Sequence, residues 1–97
     1  MTTDEARIAL THAEGMAISQ MDIGWWLRAD PRHKRIPDFA GLDRAAATVA
    51  SIIVEHGPDF AVGDSPSAAS VAASLAGTVA YVAEFRPRSG GKRHDAR

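Results

Sequence analysis

The chain has 97 residues, enough for one small domain. Hydrophobic residues make up 45% of it, but 19 residues are Ala and only 19 are Leu, Ile, Val or Phe, near the lower limit for a self-sufficient core. The absence of Cys excludes disulfides and thiolate chemistry, and a net charge of −1 indicates no particular partner. We therefore expect a thin core that self-association completes.

The first predicted helix begins after Thr2. Thr2 and Glu5 have the spacing of a capping box, and Asp4 adds a second carboxylate that suits the dipole of the first turn. The helix cannot run past Ala29, because the next residue precedes a proline and is disfavoured in the α region. Two glycines lower its helix propensity, so a break near Asp22–Gly24 stays open as an alternative to one continuous helix.

Several large side chains fall outside the apolar face of this helix. At 100° per residue, an arc of roughly 140° forms the predicted core face, made of Ala6, Ala9, Leu10, Ala13, Met16, Ala17, Met21 and Leu27. The side chains outside it are those of Ile8, Ile18, Trp25 and Trp26. The Trp pair is either buried beneath the following loop or anchors a partner, since Trp is enriched at interaction hot spots. Our candidate partner-binding residues are Trp25, Trp26 and Ile18.

The second predicted helix follows Pro37, with either Asp38 or Asp43 as its N-cap. Its apolar residues recur at spacings of three and four, as expected for a helix that packs on a core. They are Leu42, Ala45, Ala46, Val49, Ile52, Ile53 and His56. Gly57 followed by Pro58 indicates the end of the helix.

The third predicted helix begins at Ser65-Pro66, an N-cap followed by a proline at the first helical position, and runs to about Phe85. Its larger apolar stripe is Val71, Leu75, Val79 and Val82. A second stripe consists of small residues, Ala69, Ala73, Gly77 and Ala80. Small residues let two helices approach closely, so this stripe predicts self-association, most simply as a dimer.

The third helix raises a membrane-spanning alternative as well. No charged residue lies between Asp64 and Glu84, and small residues at such spacing also occur in membrane helices. Ala buries little apolar area compared with Leu, at about 25 cal/mol per Å². Membrane association is therefore disfavoured, and we predict a soluble helix.

Positive charge is concentrated in two segments. Residues 28–35 carry a net charge of +3 and residues 86–97 carry +4, which leaves −8 for the rest. Such segments can contact phosphates, so a nucleic-acid-binding regulator is the alternative function. The candidate phosphate-contacting residues are Arg28, Arg32, Lys34, Arg35, Arg86 and Arg88. Composition also predicts a flexible basic tail over 87–97.

The sequence offers little support for catalysis. None of the four His residues has a second His or a carboxylate four residues further along a helix, so no local zinc pair is predicted. Neither a nucleophile elbow nor a phosphate-binding loop is recognisable. We expect no enzymatic activity, no metal and no cofactor.

These observations predict an all-α, three-helix domain over residues 1–86. The predicted function is a non-enzymatic protein–protein interaction module, an adaptor or small regulator. The first 15 residues are charged and lack the apolar run of a secretory signal, so a cytoplasmic protein is expected. Nine Arg against two Lys, with no Asn, are typical of a GC-rich coding sequence and suggest a bacterium or phage.

Overall fold

Residues 1–87 form three helices that pack against one another. In this computed structural model α1 spans Thr3–Ala29, α2 spans Phe39–His56 and α3 spans Ala68–Val82, followed by a 3-10 turn over Ala83–Phe85. The described residues contain no β-strand, only an isolated bridge. The predicted all-α, three-helix arrangement is confirmed. Most of the predicted tail, residues 88–97, lies outside the described residues.

α1 is one continuous helix, so of the two alternatives that the sequence left open the break near Asp22–Gly24 is wrong. The physical reason is that Gly24 is buried where α1 passes close to α3. A Cβ at this position would lie 2.7 Å from Val82 Cγ1 and 3.1 Å from the ring of Tyr81. The glycine therefore permits a close approach between two helices, and it does not interrupt its own helix.

The predicted capping box begins α1. Thr2 Oγ1 accepts a hydrogen bond from Glu5 N at 3.1 Å, and Glu5 Oε1 accepts one from Thr2 N at 2.7 Å. The hydrogen bonds that Thr2 donates from its backbone and side chain stabilise the ionised Glu5 carboxylate, and they hold its pKa below the usual 4.5.

Asp38 is the N-cap of α2, the first of the two predicted candidates. Its Oδ1 accepts a hydrogen bond from Gly41 N at 2.9 Å. Its own backbone N–H donates to Gln20 Oε1 at 2.6 Å, which fixes the start of α2 against the middle of α1. α2 ends at Gly57, whose φ of 95° is a conformation that favours glycine, as predicted.

The predicted start of α3 at Ser65-Pro66 is wrong by two residues, because Ser67 is the N-cap and its Oγ accepts a hydrogen bond from Ser70 N at 3.2 Å. Tertiary contacts explain the shift. Ser67 forms an isolated bridge with Ala61, and Ala68 N donates to Phe60 O at 2.7 Å. These contacts hold the residues before Ala68 in an extended conformation.

The core is thin, as its composition predicted. It contains mostly small residues from α1 and larger ones from α2 and α3, namely Ala6, Leu10, Ala13, Ala17, Leu42, Val49, Ile52, Ala68, Val71, Leu75 and Val82. Two predicted core residues of α1, Met21 and Leu27, are only partly buried. Ile23, just outside the predicted arc, is buried. Thr78 is the buried polar residue of α3, and its hydroxyl donates to Ala17 O at 3.2 Å.

Candidate functional site

The side of α1 that faces away from the core carries four large apolar side chains. The exposed fractions are 71% for Ile8, 61% for Ile18, 56% for Trp25 and 53% for Trp26. These are the four residues that the helical wheel placed outside the core arc. We call this side the outer face of α1; it also includes Thr11, Gly15 and Asp22, all exposed. Contiguous exposed apolar surface of this kind is typical of interaction sites.

The two indoles are held in a defined arrangement at the end of α1. Their ring centroids lie 5.2 Å apart with the planes at 85°, and the ring of Trp26 stacks on His33 at 6.0 Å and 20°. The following loop therefore covers part of Trp26, but it leaves both indoles more than half exposed. Burial of the pair beneath the loop, one of the two interpretations from the sequence, is wrong.

The same loop also contains exposed cations. Lys34 and Arg35 directly follow His33, and their side chains are exposed, as is that of Ile36. Arg32 lies 3.5 Å from Asp30 Oδ1, and Asp30 partly neutralises its charge. Indoles and cations thus share one end of the molecule.

Arg28, a candidate for phosphate contact, links α1 to the end of α3. Its Nη2 lies 2.6 Å from Glu84 Oε1, it donates to the carbonyl of Tyr81, and its guanidinium lies 3.8 Å from the Tyr81 ring centroid. Stacking on an aromatic ring and pairing with a carboxylate are both stabilising. Arg28 is therefore engaged within the fold.

Arg86 is engaged in a similar way. It lies 3.3 Å from Asp43 and 4.6 Å from the ring centroid of Phe39. Arg88 lies outside the described residues. Of the six candidate phosphate-contacting residues, Arg32, Lys34 and Arg35 are exposed in the loop that follows the Trp pair.

An apolar groove of about 520 Å³ runs between α1 and α2, and sequence reasoning missed it. Small residues line its floor and create the space, and Ile8, Met16 and Arg44 line it as well. The sequence feature that could have revealed this groove is the set of small residues with which α1 and α2 face each other.

No group of three or more His, Asp or Glu side chains within residues 1–87 is suitably placed to hold a metal ion.

The small-residue stripe of α3 lies on the exposed side of that helix. Ala69, Ala73, Gly77 and Ala80 are all exposed, and a Cβ added at Gly77 would meet no atom within 4 Å. Close packing of this stripe within the three helices is therefore ruled out, and no part of residues 1–87 covers it.

One stretch among the described residues, Ala68–Phe85, is long and apolar enough to cross a membrane by length and composition. The core helix of a soluble protein meets the same criteria, and α3 does bury its larger stripe, including Val71, Leu75 and Val82, against α1 and α2.

Comparison with known proteins found no family model that matches this chain, and no curated protein or solved structure that is significantly similar to it.

Proposed function

We propose that this chain is a non-enzymatic helical interaction module that binds a protein through the outer face of α1. The observation that carries the proposal is the exposure of Ile18, Trp25 and Trp26, each more than half accessible, on one continuous helix. Truncating a Trp at the centre of an interface costs about 2 kcal/mol or more. Two adjacent indoles can therefore supply much of the affinity of a small interface.

The arrangement of the indoles supports the same proposal. Trp26 is held between His33 and the edge of Trp25, and both lie at the end of a helix that the core fixes in place. Binding costs less free energy when the contacting side chains are already ordered, because little rotamer entropy is lost. A platform of this kind suits a protein partner with an apolar surface.

We also propose self-association, most simply as a dimer, in the cytoplasm of a bacterium or phage-infected cell. The thin core and the large exposed side chains support it. Two surfaces are candidates for the contact between copies: the stripe of α3 expected from the sequence and the outer face of α1. The stripe offers only methyl groups and a glycine, so it buries less apolar area than two Trp and two Ile residues would.

A second candidate function, binding of nucleic acid, is favoured by the exposed Lys34 and Arg35, which follow in the sequence the His33 that stacks on Trp26. Aromatic rings next to cations can stack on bases and contact phosphates. Because Arg28 and Arg86 are engaged within the fold, they leave fewer cations for this role among residues 1–87. Titrating single-stranded and duplex DNA at increasing salt tests it: affinity that falls steeply with salt supports the regulator, and no binding at low salt eliminates it.

Capture of proteins by the immobilised intact chain tests the leading proposal. The wild type is compared with a Trp25→Ala/Trp26→Ala double variant. The matched control is Val54→Ala, an 86% exposed apolar residue on α2. We expect the wild type and the control to retain the same protein, and the double variant to lose it. Equal retention by all three proteins would contradict the proposal.

A further inference from the structure

The outer face of α1 has the spacing of a coiled-coil seam. Its exposed residues alternate between intervals of three and four along the helix: Ile8, Thr11, Gly15, Ile18, Asp22 and Trp25. This is the spacing of the a and d positions of a heptad, and three of the six positions, Ile8, Ile18 and Trp25, carry large apolar side chains. The core of the protomer lies on the opposite side of α1, so the seam is accessible to a second helix along its length.

We infer that the helix that covers this seam is α1 of a second copy, packed antiparallel to the first. The inference rests on the proposed function and names the partner of the same surface. An antiparallel pair with its two-fold axis between Met16 and Ala17 places each seam residue opposite a complementary one, as follows.

Apolar residues meet apolar residues, and polar residues meet polar ones, in this register. Ile8 lies opposite Trp25 of the second copy, and Gly15 lies opposite Ile18. Thr11 lies opposite Asp22, and its hydroxyl, which donates to Arg7 O at 3.0 Å within the protomer, would exchange that acceptor for the carboxylate. Each of these three pairings occurs twice, because the arrangement is symmetric.

Nothing in residues 1–87 packs against Gly15. A Cβ at this position would meet no atom within 4 Å, and a glycine lowers helix stability where Ala would raise it. Opposite Ile18 of a second copy, the glycine leaves space for a branched side chain between the two helices. The dimer thus supplies the packing reason that the single chain lacks.

Charge complementarity selects the antiparallel orientation. The first turn of α1 contains Asp4 and Glu5, and the loop that follows its other end contains Lys34 and Arg35. Antiparallel packing brings the acidic end of each helix beside the basic loop of the other copy, and it also aligns the two helix dipoles favourably. Parallel packing would bring like charges together and stack Asp22 on Asp22.

Disulfide trapping tests the register, because the natural chain has no Cys. In the double variant Thr11→Cys/Asp22→Cys of the intact chain, each cysteine faces its counterpart, and we expect a covalent dimer. Within one helix the two positions are about 16 Å apart, too far for an internal disulfide. Thr11→Cys alone should form no disulfide-linked dimer under oxidation, since the two copies of that residue are about 16 Å apart along the axis.

Sedimentation of the purified intact chain tests the dimer itself. Ile18→Arg is compared with Val54→Arg, which adds the same charge at an exposed apolar position on α2. We expect Ile18→Arg to raise the dissociation constant of the dimer by more than about tenfold. Val54→Arg should leave it unchanged. Circular dichroism confirms that both variants fold.

Three results would overturn the inference: a chain that is monomeric at every concentration, a dimer trapped by Thr11→Cys alone, or a dimer trapped by Gly77→Cys on α3. A dimer seen in sedimentation that the double variant Thr11→Cys/Asp22→Cys fails to trap also overturns the register. A monomeric chain whose Trp25→Ala/Trp26→Ala variant still loses a captured protein contradicts this inference and leaves the proposed function standing. A monomeric chain with unchanged capture contradicts both.

Discussion

A single methyl group added at Gly24 should destabilise the protein, because there is no room for it between α1 and α3. The Cβ of Gly24→Ala would lie 2.7 Å from Val82 Cγ1 and 3.1 Å from the ring of Tyr81. Val82 is fully buried and β-branched, so its side chain cannot easily rotate away. The two helices must therefore separate slightly to accept the methyl group.

The size of the effect follows from two opposing terms. Overpacking of a core costs about 1–3 kcal/mol, and replacing Gly by Ala within a helix gains about 1 kcal/mol. Gly24→Ala should therefore reduce the free energy of unfolding by up to about 2 kcal/mol. At Gly77, where a Cβ meets no atom within 4 Å, only the gain remains and Ala should stabilise the fold by about 1 kcal/mol.

Thermal unfolding followed by circular dichroism measures both variants against the wild type. A change of 1 kcal/mol shifts Tm by about 4–8 °C in a domain of this size. All three proteins are compared at one concentration, since self-association makes Tm concentration-dependent. A Gly24→Ala variant that is stabilised as much as Gly77→Ala would show that the added methyl group meets no resistance, and it would refute the close approach of α1 and α3.

Three further predictions concern polar contacts. Gln20→Met should lower the urea midpoint by the equivalent of about 1–3 kcal/mol, because Asp38 N–H loses its acceptor; an unchanged midpoint would show that water replaces it. Thr78→Val should cost about 1 kcal/mol in the same assay, since it removes the hydrogen bond to Ala17. The pKa of the Glu5 carboxyl is lower in the folded than in the unfolded chain. The ionised carboxylate therefore stabilises the fold at pH values above the unfolded pKa, and this stabilisation is lost as the pH falls through the folded pKa. In the Glu5→Gln variant the urea midpoint should therefore fall less over this acidic pH range than in the wild type. An identical pH profile for the two proteins would contradict the role of the Glu5 carboxylate.

The helix ends were largely predictable because short-range chemistry determines them. The capping box at Thr2 and Glu5, the N-cap Asp38 and the terminating Gly57 are local signals, and the structure contains all of them. The start of α3 was misplaced because Ser65 and Ser67 are equally good caps. Contacts of the loop between Ala61 and Ser67, which no local pattern reveals, decide between the two.

Tertiary contacts likewise explain what the sequence did not reveal about α1. From local propensity alone, Gly24 is expected to weaken the helix. Its role in the close approach of α1 to α3 becomes visible only in the packed structure. For the candidate site, the helical wheel correctly predicted that Ile8, Ile18 and the two Trp side chains lie outside the core. Whether a loop would cover them was open until His33 was located on one side of Trp26. The sequence could not show that Arg28 forms an ion pair within the fold, because its partner Glu84 lies far along the chain.

Acrylamide quenching of tryptophan fluorescence tests most directly whether the outer face of α1 is the interaction surface. The chain has two Trp residues, and both lie on this face, so the signal comes from the site alone. We predict that quenching decreases over the concentration range in which sedimentation shows the mass of the chain doubling. Indoles that remain equally accessible to acrylamide at every concentration would contradict the account.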